Sequence, residues 1–578
     1  MSIPTALFKR RGGHERSARY SVRRAVGGVS HMARSSVRIG SGSAAGRLLL
    51  QCRPLAAGSS LIASGRRRAG RFLLRRRLLA ARPEDRISAL SDDLLLLVLR
   101  HLDTRTALAT GLLSRRWAHL PRELPALDLR IGDLLPPRYH RWVLLYRDIC
   151  EKGTLLHYRR GAVNQELLPN IRRYERRAMR AVTSSAGSFL EGPRRRVNRL
   201  RLEFFITGNA ACMNRLITEA IDAWGVDDLE AVAKPIYRQR DDVHTFPGHG
   251  LCRKPRTARL RSLKLGGCVL PQLHEYGALT MLVLQDIPES TTASAYEGIF
   301  NSCLQLQTFH LISCGCSSTS GRSSTVVVDA PNSEIRELVV EDCTFQWLRL
   351  KALPCLQSLA SLRSRVLFDS TSFPCLRQWN LTMRLGIILK GLHKRVKLEL
   401  DMFLGCIPDI TSLIIRFTGP YRWIVPSNSP SALLPNLKRL LVADVPSSWD
   451  VTWPRLLLEM APSLERLHIN IASCQEEPGE EIPWPLTEFR QHRLMEFVMA
   501  GFGGTARQIY LVKFVVRACT ALRHVAMFKN GRSLEKGHWN WEMETQHHLW
   551  ADEEKENTLK LIMDGVPSST SPIQIVLG

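Results

Sequence analysis

The sequence predicts an α/β chain: three short helices, then an irregular solenoid of short strands curved into a horseshoe, behind a disordered basic leader. Three observations carry this. Residues 85–120 place leucines at helical spacing. From Val197 onward a unit of apolar, two variable, apolar, one variable, apolar recurs. Residues 1–80 hold 18 Lys and Arg against the single acid Glu15.

The helices come first in the argument. Leu90, Leu94, Val98 and Leu102 fall on one helical face, with Leu95 and Leu99 beside them. Asp92 stands where a carboxylate can accept from the free amides of a first turn. A second short helix is expected around Ala107, Leu108 and Leu112, and Ser114 is placed to cap a third segment, Arg115 to Leu120. Helices this short cannot bury all these leucines against one another. The leftover apolar surface needs a partner.

Four motif pieces stand in order here: Asp85-Arg86-Ile87-Ser88, Leu90-Ser91-Asp92-Asp93-Leu94-Leu95, Leu102-Asp103-Thr104-Arg105 and Leu113-Ser114-Arg115-Arg116-Trp117. Together they resemble the F-box of plant F-box/leucine-rich-repeat (FBD-like) proteins. An ordinary helical subdomain with a buried tryptophan would not need four such pieces in order. Both usual prolines are absent, replaced by Ser91 and Asp103. Proline rigidifies helix starts, so weaker adaptor affinity is expected. The resemblance implies that the F-box binds the Skp-type adaptor of a cullin ubiquitin ligase while leucine-rich repeats capture a protein substrate for ubiquitination. It implies adaptor contact by Leu90, Asp93, Leu94, Leu102, Leu113, Ser114 and Trp117. The chain would contribute proximity, with no catalytic, cofactor-binding or metal-binding residues.

Length and composition set the bounds. A chain of 578 residues exceeds one compact core, and 44% apolar content suits folded domains. The net charge of +28 is uneven: the leader carries +17 of it (18 bases less one acid), with Arg66-Arg67-Arg68 and Arg75-Arg76-Arg77 its densest runs. Three readings of the leader stay open: a basic arm for nucleic acid or anionic surfaces, an organelle transit segment, or a functionless extension from a misassigned start. An 18-residue apolar run is missing, so no membrane span is expected, and no cleavable secretory signal is read. Fourteen cysteines without that signal should be reduced thiols, and no Cys-x-x-Cys pair occurs. His244, His249 and Cys252 lack the fourth ligand and paired spacing of a zinc site.

After the F-box, residues 121–130 read as a turn and a first strand. The connector, 126–196, adds a helix around Ile171–Val182 whose arginines, Arg172, Arg173, Arg176, Arg177 and Arg180 among them, suit a solvated face. The repeats then fill 197–530. Their thirteen starts are spaced from 19 residues (Leu260 to Leu279) to 34 (Leu376 to Ile410). Five consecutive units carry a proline two places before the first apolar residue: Pro354, Pro374, Pro408, Pro435 and Pro462. Proline cannot serve a central ladder, so it marks the approach to each strand. Cys268, Cys314 and Cys343 fill the place, three beyond the last apolar position, where leucine-rich repeats put Asn or Cys. Variable residues such as Gln357-Ser358, Arg377-Gln378, Lys438-Arg439 and Glu465-Arg466 should face outward and bind another protein.

The plant-family resemblance extends to a helix at Asn214–Gly225, to Val326–Pro331 and Ile335–Val340 as paired strands of adjoining units, and to a closing module from His492. Residues 531–578 are expected as a tail. Gly501-Phe-Gly503-Gly-Thr-Ala506 fits a dinucleotide glycine pattern, but the next strand ends in Phe528-Lys529 where an acid should bind the ribose, so the glycines read as a turn. The leading expectation is a substrate-recognition adaptor of the nucleus, the cytoplasm or both. The alternatives are nucleic-acid binding through the arginine-rich leader and connector, or a degenerate family member that no longer assembles. The substrate, and any modification or small ligand it requires, are not written in the sequence.

Overall fold

The computed structural model describes residues 87–578 apart from 88, 112, 152–156, 192–195, 208–209, 237–241, 318–323, 370–372, 385–397, 400–403, 405–406, 408, 419–423, 426–433, 448–453, 474–488, 547–549 and 565–572. The expectations for the leader, Asp85, Arg86, Ser88, Leu112 and Pro408 lie outside the described residues. Asp85–Gly578 forms one compact unit with a mixed α/β fold.

Two helices open it, α1 (Asp92–Arg100) and α2 (Thr104–Thr110). The expected third helix is instead a run of turns ending in a 3-10 turn at Leu120–Glu123. Ser114 Oγ does accept from the Trp117 amide, at 3.4 Å. Pro121 then supplies no N–H to bond back to Trp117, so no α-helix propagates. Four-residue α3 (Ile131–Leu134) leads to α4 (Pro137–Glu151) and the long α5 (His157–Leu190), which extends well beyond the expected 171–182 on both sides. On α5, Ile171, Ala178, Met179 and Val182 enter the core while Arg173, Arg176, Arg177 and Arg180 face solvent.

Among the described residues fifteen strands, every pair parallel, then lie side by side in chain order. They begin with β1 (Ala126–Arg130), β2 (Arg199–Phe205), β3 (Asp228–Lys234), β4 (Ser262–Gly266) and β5 (Met281–Gln285). The middle holds β6 (Thr308–Ile312), β7 (Glu337–Glu341), β8 (Ser358–Leu362), β9 (Gln378–Arg384) and β10 (Ser412–Thr418). The far end holds β11 (Arg439–Pro446), β12 (Arg466–Ala472), β13 (Glu496–Ala500), β14 (His524–Phe528) and β15 (Gln574–Leu577). Each of β2–β14 starts two residues after one of the thirteen apolar starts; Leu356, for example, precedes Ser358. Strand leucines such as Leu263, Leu265, Leu282, Leu284, Leu338 and Leu359 are wholly buried in one continuous core. Helices α6 (Ala210–Asp222), α7 (Ala293–Ser302), α8 (Pro454–Met460) and α9 (Ala506–Ala518) supply its other wall.

The prolines act one step earlier than a strand. Pro354 is the second residue of a turn closed by Leu356 N–H donating to Leu353 O at 3.2 Å, and Pro374 and Pro435 repeat this. Proline's fixed φ suits that position. Strands end equally regularly. Asp286, Ser313, Asp342 and Arg363, each just after β5, β6, β7 or β8, are left-handed, with φ between 49 and 54. The amides of Asp286, Ser313 and Asp342 donate to the last carbonyl of the next strand, as Ser313 does to Glu341 O at 2.7 Å, and that of Arg363 to Thr382 O within β9. Glycine takes the same place at Gly267 and Gly501, where a Cβ would stand 2.0 Å from Ala233 O and 2.2 Å from Ile471 O. The following cysteines tie the turn inward: Cys314 and Cys343 donate to Leu284 O and Leu311 O, both at 3.4 Å. Burial holds Cys268 as a neutral thiol, its pKa pushed up to about 12. Ser364 takes the equivalent place after Arg363, accepting from Cys343 N at 3.0 Å.

Several expectations are corrected here. The 326–331 and 335–340 segments do not pair with each other: Thr325–Asp329 joins Trp347–Ala352 in a small separate sheet, while β7 lies between β6 and β8. The expected tail is folded. Asn530–Lys536 and Asn540–Gln546 form an antiparallel hairpin, α10 (Asp552–Met563) follows, and β15 pairs with β14. At the glycine-rich turn, Gly503 N–H donates to Gln508 Oε1 at 2.7 Å, and Thr505 and Gln508 complete a capping box on α9. The amides of Gly503, Thr505 and Gln508 are thus already engaged within the turn.

Candidate functional site

The opening helices build the site from a leucine run with two faces. Leu95 and Leu99 are wholly buried with Ala107, Leu120 and Leu124, and Leu90 and Leu96 pack on this small core. The opposite face stays in water: Leu94 is 49% exposed, Leu97 51%, Val98 47% and Leu113 72%. Leu102 and Ile87 are exposed beside them. Large apolar side chains gathered this densely mark an interaction surface. Leaving a leucine exposed forgoes roughly 1.5–3 kcal/mol that burial would contribute.

Electrostatic ties hold the face in place. Asp92 does not cap α1; Ser91 precedes the helix and makes no side-chain cap either. Asp92 is the first helical residue, and Arg116 Nε donates to its Oδ1 at 2.7 Å. Arg116 also donates to Leu90 O, fastening the turn segment to the start of α1. Asp103, one of the two residues standing in place of proline, caps α2: its Oδ1 accepts from Thr106 N at 2.9 Å and its Oδ2 from Thr106 Oγ1 at 2.6 Å. Thr104 Oγ1 accepts from Asp128 N at 3.0 Å, joining α2 to β1.

Of the residues singled out in the sequence, Asp93, Leu94, Leu102, Leu113 and Ser114 are exposed and Leu90 is half-buried. Trp117 is only 8% exposed, packed in the small core, so it supports the face from beneath. Val98, placed with Leu94 and Leu102 by its spacing, is exposed as well, and Leu97 and Ile87 join the surface without having been singled out. Leu97 lies inside the apolar run from Leu94 to Leu99, where spacing places the exposed face but not its width.

The sheet face turned away from the main core is the second candidate surface. Across β2–β4 it carries paired charges: Arg199–Asp228 at 2.7 Å, Lys264–Glu230 at 3.0 Å and Arg201–Glu230 at 3.4 Å. The variable residues expected to face outward lie at the strand starts, with Gln357, Arg377, Lys438 and Arg466 exposed. His244 and Cys252 serve the fold separately: His244 Nε2 bonds Asn214 Oδ1 at 2.8 Å and Cys252 Sγ bonds Tyr276 OH at 3.3 Å. Among the described residues no cluster suits a metal ion, and no helix is long and apolar enough to cross a membrane.

Comparison with known proteins bears on this site. The F-box domain matches residues 87–125. An Arabidopsis thaliana F-box/FBD/LRR-repeat protein is 41% identical over 75 residues, 13% of this chain and 16% of that protein. An Arabidopsis thaliana FBD-associated F-box protein is 39% identical over 73 residues, again 13% and 16%. The matched stretch thus spans about a sixth of the length of these relatives. The exposed leucine face lies within the matched F-box domain, and that match together with these relatives supports a plant F-box/FBD-like family.

Proposed function

We propose that this chain is a non-catalytic substrate adaptor of a cullin ubiquitin ligase, working in the nucleus, the cytoplasm or both. In this reading residues 85–125 dock the Skp-type adaptor, 126–196 connect, and the strands of 197–530 form a leucine-rich-repeat solenoid that binds a protein substrate. The ligase transfers ubiquitin; this chain supplies proximity. The observation that carries the reading is the uncovered apolar face of Leu94, Leu97, Val98, Leu102 and Leu113, set on helices whose other face already fills its own core. Such a face suits a partner that lays its own apolar groove against it.

The test is Leu94→Lys with Leu113→Lys, both at exposed positions. Co-purification with the Skp-type adaptor should be lost, while the far-ultraviolet circular dichroism and the unfolding midpoint stay at wild-type values. Undiminished adaptor capture by this double variant would reject the reading. Failure of the wild-type chain to capture any Skp-type adaptor would favour a degenerate F-box.

A further inference from the structure

We propose that the hairpin of residues 530–546 is a displaceable strap lying in the protein-binding channel of the sheet. The segment that takes its place is an extended peptide bearing two aromatic side chains, separated by one residue, and an acid. This rests on the reading of the sheet as the substrate-binding surface.

One row of residues, in register across the sheet, shows where the channel lies. It runs Arg201, Glu230, Lys264, Val283, His310, Val339 and Ala360 from β2 to β8, then Asn380, Ile414, Leu441 and His468 from β9 to β12. The row is ionic at its start and, where the hairpin crosses, aliphatic apart from Asn380 and His468. Val339 and Ala360 pack against Trp539, and Ile414, Leu441 and Ala443 against Trp541 and Met543. Without the hairpin these aliphatic side chains would face solvent.

Among the described residues the hairpin pairs only with itself and shares no backbone ladder with the sheet. Its anchors on the sheet include side-chain and tip contacts. Trp541 Nε1 donates to His468 Nδ1 at 2.8 Å and Trp539 Nε1 to Leu359 O at 3.2 Å. Asn380 Nδ2 donates to His538 O at 2.8 Å, and Glu535 pairs with Arg416 at 2.6 Å. The Arg439 guanidinium lies 4.4 Å from the centre of the Trp541 ring. These define the replacement: two indole-like rings spaced as Trp539 and Trp541, and a carboxylate for Arg416.

The hairpin is an incomplete occupant. Asn380 Oδ1, Thr382 Oγ1 and Asn470 Oδ1 have no partner among the described residues, although all three side chains are buried on this part of the sheet. A buried acceptor left unpaired costs free energy, so a segment that satisfied these atoms would compete effectively.

The experiment uses the full chain carrying Trp539→Ala and Trp541→Ala, and a fluorescein-labelled peptide of residues 530–546 as probe. Anisotropy should show saturable binding to the variant, at least tenfold tighter than to the wild type, and lost when both tryptophans of the peptide are alanine. A folded variant that does not bind the peptide overturns the proposal. Hydrogen exchange on the wild type decides the matter if the variant does not fold. Amides of 531–546 exchanging ahead of those of β10–β12 support a strap; amides exchanging only in step with those strands overturn it. No ligase component enters either assay, so failure here leaves the adaptor test of Leu94 and Leu113 standing.

Discussion

Two apolar surfaces of this chain are treated in opposite ways. On α1 the side chains of Leu94, Leu97 and Val98 are left in water. On the sheet, Val339, Ala360, Ile414 and Leu441 are wholly covered, by a hairpin of the same polypeptide. The strands and α1 are both rich in aliphatic residues. What separates them is whether later sequence brings an aromatic lid across. The sheet receives Trp539 and Trp541, whereas beneath the F-box helices the described residues form a six-residue core with two packed neighbours. Each inner strand of the large sheet draws stability from a neighbour on either side. The small helical module depends on a few local ties.

The strongest way to probe this difference is Trp117→Ala. Removing the largest member of the small core should cost about 3–5 kcal/mol locally, the range for buried aromatics. Hydrogen exchange should then report melting of residues 92–124 with β6–β12 unchanged; equal loss in both regions would show that the helices and the sheet fold as one cooperative body. A smaller effect is expected from Asp103→Ala, about 1 kcal/mol for a lost helix cap. Differential protection of α2 measures it, and no loss would mean that Thr106 finds another acceptor.

The smallest effect separates the surfaces by pH. Burial and the neighbouring His310 hold the His538 imidazole below its ordinary pKa of 6.5, against opposing pulls from Glu341, Glu337 and Glu535. The docked hairpin therefore binds fewer protons than the freed one between the lowered value and 6.5. Docking should be fully stable above 6.5 and weaken as pH falls through that window. Exchange rates of the hairpin amides, corrected for intrinsic pH dependence, check the sign, and His538→Gln should flatten the response.

Much of the fold was legible in residues. The apolar triplets located thirteen strands because each strand must bury alternate side chains at a fixed offset from the preceding turn. The two opening helices were legible from leucine spacing. The hairpin was not, because its outer positions, Arg532, Lys536, Glu542 and Glu544, give it the composition of a solvated tail. Its signal was the alternation of Trp539, Trp541 and Met543, a period-two pattern among polar residues. Asp103 shows another limit. As a missing proline it suggested a weakened helix start, yet its carboxylate supplies the hydrogen bonds that proline cannot. At the exposed leucine face, spacing put Leu94, Val98 and Leu102 together, but that Leu90 and Trp117 pack inward beneath them was not legible from spacing.

Chain-order assembly of the sheet also has a consequence during synthesis. Each strand can settle on the one made just before it, so the array can grow as the polypeptide leaves the ribosome. The hairpin comes late: from the end of β7 at Glu341 to Gln546 there remain about 205 residues, or about 10–40 s at 5–20 residues per second. For that interval the aliphatic stripe of the half-built protein has no lid of its own, and nascent molecules must pass through a phase in which they are greasier than the finished one.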